Sequence, residues 1–297
     1  MNSFIYDNYG YYVDSNKEEF EYKGFLFKLE RNDYSEEELI QLNNLVVDID
    51  ASLFMQGARI IPNRSSFLSS IYTSSNISLV GVKIFEVGFS DVLKVLKTYL
   101  HYDKNSFSLI SIKTLWENKL NLVKEKIMNS IKIDTYSYSL CQTIVYYALG
   151  LCENALCYLE DVIIDFSEKV SLVTITHKRF SNFSSYDLLN PLNLMVDSPI
   201  RDLAELYKFN CISVDEIKMA IEELGLSSSE VMYLFARILY PTPIFDLLEE
   251  SYYKKEDIKG EIINIYNNID DYQSRIKDIY LFLRAQYNIR PILWLDR

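Results

Sequence analysis

Basic charge, glycine, cysteine and histidine are all scarce in this chain, and each shortage removes a class of function. Its 30 Lys and Arg stand against 42 Asp and Glu, a net charge of −12. Nucleic-acid phosphates demand clustered Lys and Arg, whereas only scattered pairs such as Lys254-Lys255 occur, so the charge argues against a nucleic-acid partner. With only 8 glycines, Gly10 and Gly24 are isolated and no G-x-G occurs early in the chain, which argues against a tight glycine-rich phosphate loop. The cysteines Cys141, Cys152, Cys157 and Cys211 show no C-x-x-C spacing and no His cluster. Neither a zinc site nor a disulfide framework is indicated, and reduced core thiols are expected. MNSFIYDNYG lacks a basic start followed by an apolar run, so no secretion signal is read and the chain is expected to act inside a cell. Tyr136 to Cys152 is uncharged, yet it carries Ser137, Ser139, Gln142 and Thr143 and ends at Glu153. A buried central helix fits it better than a membrane span.

What is abundant is apolar and aromatic. A chain of 297 residues with 49% hydrophobic content, 24 Tyr and 16 Phe is long enough for two lobes that each bury a core. The Tyr, Asn, Ile, Lys and Ser richness reads mainly as the codon bias of an A+T-rich genome, and a sticky aromatic surface is its functional alternative.

The chain changes character near Glu86. Before it, YGYYVD, FEYKGFLFKLE, GARIIP, SFLSSIYT and ISLVGVKIF are β-branched and aromatic runs separated by turn residues, which predicts strands. One helix interrupts them, Ser35 to Asp48, with Ser35 as N-cap, Glu36 to Glu38 in the first turn, and Leu39, Leu42, Leu45 and Val46 on one face. After Glu86, apolar spacings of three and four predict helices over 89–102, 112–131, 138–166, 202–207, 214–224, 229–239 and 257–287. The reading is a single α+β bilobal unit, with an antiparallel-sheet N-lobe over 1–85 containing one helix, and a mostly helical C-lobe over 86–297.

Residues Ile175 to Lys208 carry the chemistry. Phosphoryl transfer needs a loop carboxylate to orient the substrate hydroxyl, an Asn a few residues later, and an Asp after a short strand to hold magnesium. The segment resembles the H-G-D-x-x-x-x-N, strand-Asp and D-L-A pattern of the aminoglycoside phosphotransferase and choline kinase superfamily. His177 matches the His, Lys178 stands at the Gly, Arg179 stands at the catalytic Asp, and Ser184 stands at the Asn, with Asn182 two residues early. LNLMVD ending at Asp197 resembles the metal-binding strand, and Asp202 to Glu205 resembles the helix start that follows.

A narrower resemblance rests on YYALGLCENALCYLED, THKRF, VDSPIRDLAELYK and ARILYPTPIFDLLEESY. These segments are similar to kinase-like spore coat proteins of the YutH and CotS type, which have an H-x-R-F loop in place of H-G-D-L and an R-D-L-A-E segment after a D-x-P turn. The match covers chiefly the C-terminal half. It implies a pseudokinase made in the mother cell, located in the spore coat, with other coat proteins as partners, no membrane insertion and no cofactor. Under the alternative of a surviving small-molecule kinase, ATP and magnesium enter and Asp187 is the candidate acid. A third possibility is a nucleotide- or ligand-binding protein without turnover.

Each residue also has a structural reading. Arg179 is either a phosphate-binding cation or half of an internal ion pair with Asp197 or Asp202. Asp197 is a metal ligand by resemblance, but a lone Asp binds magnesium poorly, which favours a vestigial turn residue. His177 is expected to be scaffold, His101 a solvated or capping residue. Arg201, Asp202 and Glu205 are expected to be structural, with Asp202 at a helix N-terminus. Lys28 in FLFKLE is either the phosphate-pairing lysine, partnered by Glu37 or Glu38, or a solvent-facing strand lysine opposite Phe25, Phe27 and Leu29. Replacing the carboxylate by Arg179 also repels magnesium, since unit charges about 4 Å apart interact by about 4 kcal/mol at an effective dielectric near 20. Efficient transfer by the usual mechanism is therefore not expected.

Overall fold

The computed structural model describes residues 2–13, 18–52, 57–98, 108–127, 135–166, 172–254 and 257–297. Two compact units emerge, Met1–Tyr102 with Thr174–Asp197, and Asp103–Val173 with Ser198–Arg297. This cut differs from the lobe boundary expected after residue 85. A hairpin from the middle of the chain joins the first unit, because Thr174 donates its hydroxyl to the Leu96 carbonyl at 2.8 Å and Ser184 bridges to Glu86. His101 lies outside the described residues.

In the first unit, strands β1 (Glu19–Tyr22), β2 (Phe25–Arg31), β3 (Ala58–Ile61), β4 (Ser70–Tyr72) and β5 (Ser75–Lys83) form one antiparallel sheet in the order β1-β2-β5-β3, with β4 also on β5. Phe27 faces Gly81 and Lys28 faces Val80 across β2 and β5, so Phe25, Phe27 and Leu29 do lie opposite Lys28. Among the described residues of YGYYVD, 9–13, the expected strand does not form. Its first residue instead ends helix α1 (Asn2–Tyr9), and Gly10 at φ +80 closes the helix by donating its N–H to the Tyr6 carbonyl at 2.9 Å. Phe4, Ile5 and Tyr9 seat α1 on Phe27, Leu29, Ile77 and Leu79. The N-terminal region thus holds a second helix besides the expected one, α2 (Glu36–Ser52). Ser35 caps α2 as read from the sequence, with Glu38 closing a reciprocal capping box. After β5 comes α3 (Phe89–Thr98), which packs on β6 (Thr174–His177); β6 pairs with β7 (Leu194–Asp197).

The second unit is helical. It contains α4 (Leu109–Leu122), continued by a π turn to Ile127, and the long α5 (Thr135–Phe166). In α5, Cys141, Ile144, Val145, Ala148, Cys152, Ala155, Leu159 and Val162 are buried at helical spacing. Burial pushes the Cys141 thiol up to about 11 and the Cys152 thiol up to about 12, which suits inert core thiols. Cys157 departs from the expectation of core thiols, because it is exposed on the same helix. Then follow α7 (Ile200–Lys208), α8 (Val214–Leu224), α9 (Ser228–Leu239), α10 (Thr242–Lys254), α11 (Lys259–Asn267) and α12 (Ile269–Tyr287), the label α6 belonging to the short helix Ser185–Leu189 of the first unit. Ser213 with Glu216 and Ser227 with Glu230 form capping boxes. The helix expected over 257–287 is two helices. Asn268 divides them, its side chain donating to the Asn264 carbonyl at 2.7 Å and competing with the backbone ladder. Helix α10 has no counterpart among the expected helices, since Pro241 and Pro243 flank its start. Proline is tolerated in a first turn, where its missing N–H costs nothing. Among the described residues, no single helix is long and apolar enough to cross a membrane.

Candidate functional site

Strand β6 ends in His177, and β7 returns antiparallel with His177 opposite Leu194 and Thr174 opposite Asp197. The loop between these strands occupies the catalytic-loop position of the sequence pattern. His177 is buried at 1% exposure, shares a 2.9 Å hydrogen bond between Nε2 and the Leu188 carbonyl, and stacks on Phe180 with ring centroids 4.5 Å apart. These contacts tie the imidazole into the loop and the short helix beyond it.

The residue that organises the loop is Asn193, which the sequence pattern did not single out. The Arg179 N–H donates to Asn193 Oδ1 at 3.1 Å, while Asn193 Nδ2 donates to the Arg179 carbonyl at 2.7 Å and to the Asp187 carbonyl at 3.1 Å. The Lys178 N–H adds a bond to the Asn193 carbonyl at 2.7 Å. Both backbone groups of Arg179 are therefore held by one amide, whatever side chain position 179 carries. Ser184 and Asn182, the two residues nearest the expected Asn position, do other things. Ser184 caps the short helix α6 (Ser185–Leu189) by accepting from the Tyr186 and Asp187 N–H groups, and Asn182 is exposed. Counting four residues on from Arg179 stopped short of Asn193, which the stretch 180–192 separates from it; the available signal was an Asn immediately before the apolar strand LMVD.

Arg179 itself is exposed and donates Nη1–H to the Lys178 carbonyl at 3.2 Å. Lys178 is tied down by the Leu192 carbonyl at 2.8 Å and by Tyr34, whose hydroxyl it contacts and over whose ring it lies 4.5 Å from the centroid.

Lys28 does not pair with Glu37 or Glu38. Glu38 is engaged by Ser35 and Glu37 is exposed, whereas Glu19 stands directly opposite Lys28 across β1 and β2 and binds its amine at 3.1 Å. The same amine lies 4.7 Å from the centroid of the Tyr186 ring, and the Tyr186 hydroxyl donates to Glu30 Oε1 at 2.9 Å. Burial, with the Glu30 carboxylate beside it, pushes the Tyr186 phenol far above its ordinary range, so it remains a neutral donor. Helix α6 thus places an aromatic ring against the Lys28 amine.

Asp197 ends β7 almost fully buried, at 1% exposure, and no group of three His, Cys, Asp or Glu gathers among the described residues. The loop thus presents a cation at position 179, and the Lys28 amine is engaged by Glu19 and Tyr186.

In the second unit, the R-D-L-A-E segment forms α7. Arg201 is half-buried, while Asp202 and Glu205 are buried. Glu205 Oε1 accepts from Lys208 Nζ at 2.8 Å and from the Thr242 hydroxyl at 3.1 Å. Lys208 also donates to the Tyr240 carbonyl at 3.1 Å and to Thr242 Oγ1 at 2.6 Å, with its side chain 1% exposed. Burial alone would raise the Glu205 carboxyl, but the Lys208 charge and hydrogen bond more than offset it and hold Glu205 below its ordinary range. Burial pulls the Lys208 ammonium down despite the same partner.

The family model described as "Spore coat putative kinase YutH" matches residues 97–284. The chain belongs to this family. Among solved structures, the YutH-family chain is similar to an aminoglycoside phosphotransferase from Alicyclobacillus acidocaldarius subsp. acidocaldarius DSM 446, at 10% identity and TM-score 0.58, covering 92% of each chain. It is also similar to a spectinomycin phosphotransferase in complex with ADP and spectinomycin, at 12% identity and TM-score 0.56, covering 91% of this chain and 92% of that one. No curated protein matches. The fold is therefore that of the aminoglycoside phosphotransferases, α+β with an antiparallel sheet in its N-terminal region and a mostly helical remainder.

Proposed function

We propose that this YutH-family chain is a non-catalytic, kinase-like component of the bacterial spore coat, made in the mother cell and assembled there with other coat proteins. The observation that carries the reading is the loop at Arg179: a cation stands where phosphoryl transfer needs a carboxylate, and Asn193 keeps the loop's backbone shape without any contribution from a catalytic side chain. The engagement of Lys28 by Glu19 and Tyr186 supports it from the phosphate side. Coat assembly comes from the family to which the chain belongs.

The test is a phosphotransfer assay on the purified full chain with ATP, magnesium and a panel of aminoglycosides and amino alcohols. No turnover above a protein-free control is expected. Transfer that disappears in Asp197→Ala would overturn the proposal, and transfer lost in Asp187→Asn would select the surviving-kinase alternative. A fluorescent fusion in a sporulating host is expected to concentrate on the coat of the forespore, and a fusion left diffuse in the mother cell would contradict the coat assignment.

A further inference from the structure

One face of the sheet in the first unit carries a cavity that the kinase-like loop does not use. The register puts Phe25, Phe27, Gly81, Arg59 and Ile61 on the same face, opposite the one that bears Lys28. Helix α1 covers one end of this face, over Leu29, Ile77 and Leu79. At the other end a cavity of about 300 Å³ opens, lined among the described residues by Tyr11, Phe25, Phe27, Arg59, Ile61 and Gly81 together with Gly57 and Ala58. That volume lies at the small end of ligand pockets, enough for one ring system and a short tail.

Its walls are aromatic and fixed. Phe27 stacks on Phe20 at 5.0 Å with the planes 9° apart, and Tyr11 and Phe25 tilt against Phe27 at 5.7 and 6.3 Å. Gly81 is required beneath them, because a Cβ there would fall 2.7 Å from Phe27 Cε1. The charge is fixed as well. Asp50, 2% exposed on α2, uses Oδ2 to accept from the Gly57 and Ala58 N–H groups at 3.0 Å and from Arg59 Nη1 at 2.9 Å. Arg59 Nη1 also contacts the Ala58 carbonyl. Among the described residues no acceptor meets Nε or Nη2 of Arg59, whose side chain is 42% exposed. One corner of the guanidinium is thus anchored by a buried acid, while the Nε and Nη2 edge that suits a carboxylate in bidentate fashion keeps its donors.

We propose that this cavity binds a planar aromatic group bearing a carboxylate, the ring between Tyr11, Phe25, Phe27 and Ile61 and the carboxylate on Arg59. The chemistry fits a small aromatic acid or the C-terminal aromatic residue of a polypeptide.

The experiment is a calorimetric or chemical-shift titration of the full chain with 3-phenylpropionate, its neutral amide, and the peptide acetyl-Gly-Gly-Phe as free acid and as amide. Saturable binding of at least one acid is expected, with each amide weaker by about tenfold or more. Ile61→Trp, which fills the cavity, and Arg59→Lys, which keeps a charge for Asp50 but removes the fork, are each expected to weaken that binding by a similar factor. Tighter binding of the peptide acid assigns a polypeptide C-terminus, and tighter binding of the free acid assigns a small molecule. Equal binding of acid and amide, absence of saturation by both acids, or binding unchanged in Ile61→Trp would each overturn the proposal. The acid-against-amide comparison uses the unmodified protein, so it decides the matter even where Arg59→Lys fails to fold.

Discussion

The two halves of the kinase-like signature have had opposite fates. The loop after β6 carries the cation Arg179 on a backbone clamped by Asn193, whereas the R-D-L-A-E segment on α7 buries Asp202 and Glu205 and leaves Arg201 half-buried. In the loop, an exposed Arg179 is held through its main chain by Asn193. In the helix, Glu205 and Lys208 are locked side chain to side chain out of water. The lesson is that the shape of a site and its chemistry are separable. Backbone hydrogen bonds are indifferent to what a side chain can catalyse, while a buried ion pair cannot lose one member without leaving an uncompensated charge.

The comparison can be broken most forcefully at the helix. Glu205→Gln is expected to cost about 3–5 kcal/mol in urea unfolding by stranding Lys208, and Glu205→Gln with Lys208→Met to recover most of that loss. Asn193→Ala comes next, at about 1–3 kcal/mol, because it leaves the Arg179 and Asp187 backbone groups without their partner. Tyr186→Phe is expected to cost about 0.5–1.5 kcal/mol through its bond to Glu30. Arg179→Asp is the smallest, within about 0.5 kcal/mol, as for other exposed positions. If Arg179→Asp proved as costly as Asn193→Ala, position 179 would be held through its side chain and the contrast would fail.

A pH titration sharpens the same contrast. Glu205 is held below the ordinary 4.5, so its contribution is fully present above that value and is lost as pH falls through the lower folded value. Unfolding midpoints are expected to drop below pH 4.5 in the parent and to drop less steeply in the Glu205→Gln/Lys208→Met variant. Equal slopes would assign the acid sensitivity to other carboxylates.

Much of this was legible in the sequence. Alternation placed β2 to β5, the Ser35 and Glu38 pair placed the start of α2, and the order of His177, Arg179, Asp197 and Asp202 located the loop and the helix after it. What was hidden depends on contacts between residues far apart in the chain. The stretch 180–192 puts the clamping Asn193 beyond the reach of a fixed-spacing pattern. Helix α1 went unread because the first strand run was placed at YGYYVD, of which only Tyr9 belongs to the helix, and its burial against β2 and β5 is a contact between distant residues. The partner of Lys28 follows from the register of β1 against β2, which one strand read alone cannot supply. The burial of Glu205 and Lys208 follows from the packing of α7 and from Thr242, which lies at the start of a helix that the flanking prolines concealed.

Under the proposed function, internal contacts occupy the positions where a phosphotransferase handles its nucleotide. Calorimetric titration of the full chain with magnesium-ATP tests it most directly: no saturable heat is expected. Saturable binding that is abolished by Lys28→Met or by Asp197→Ala would contradict it.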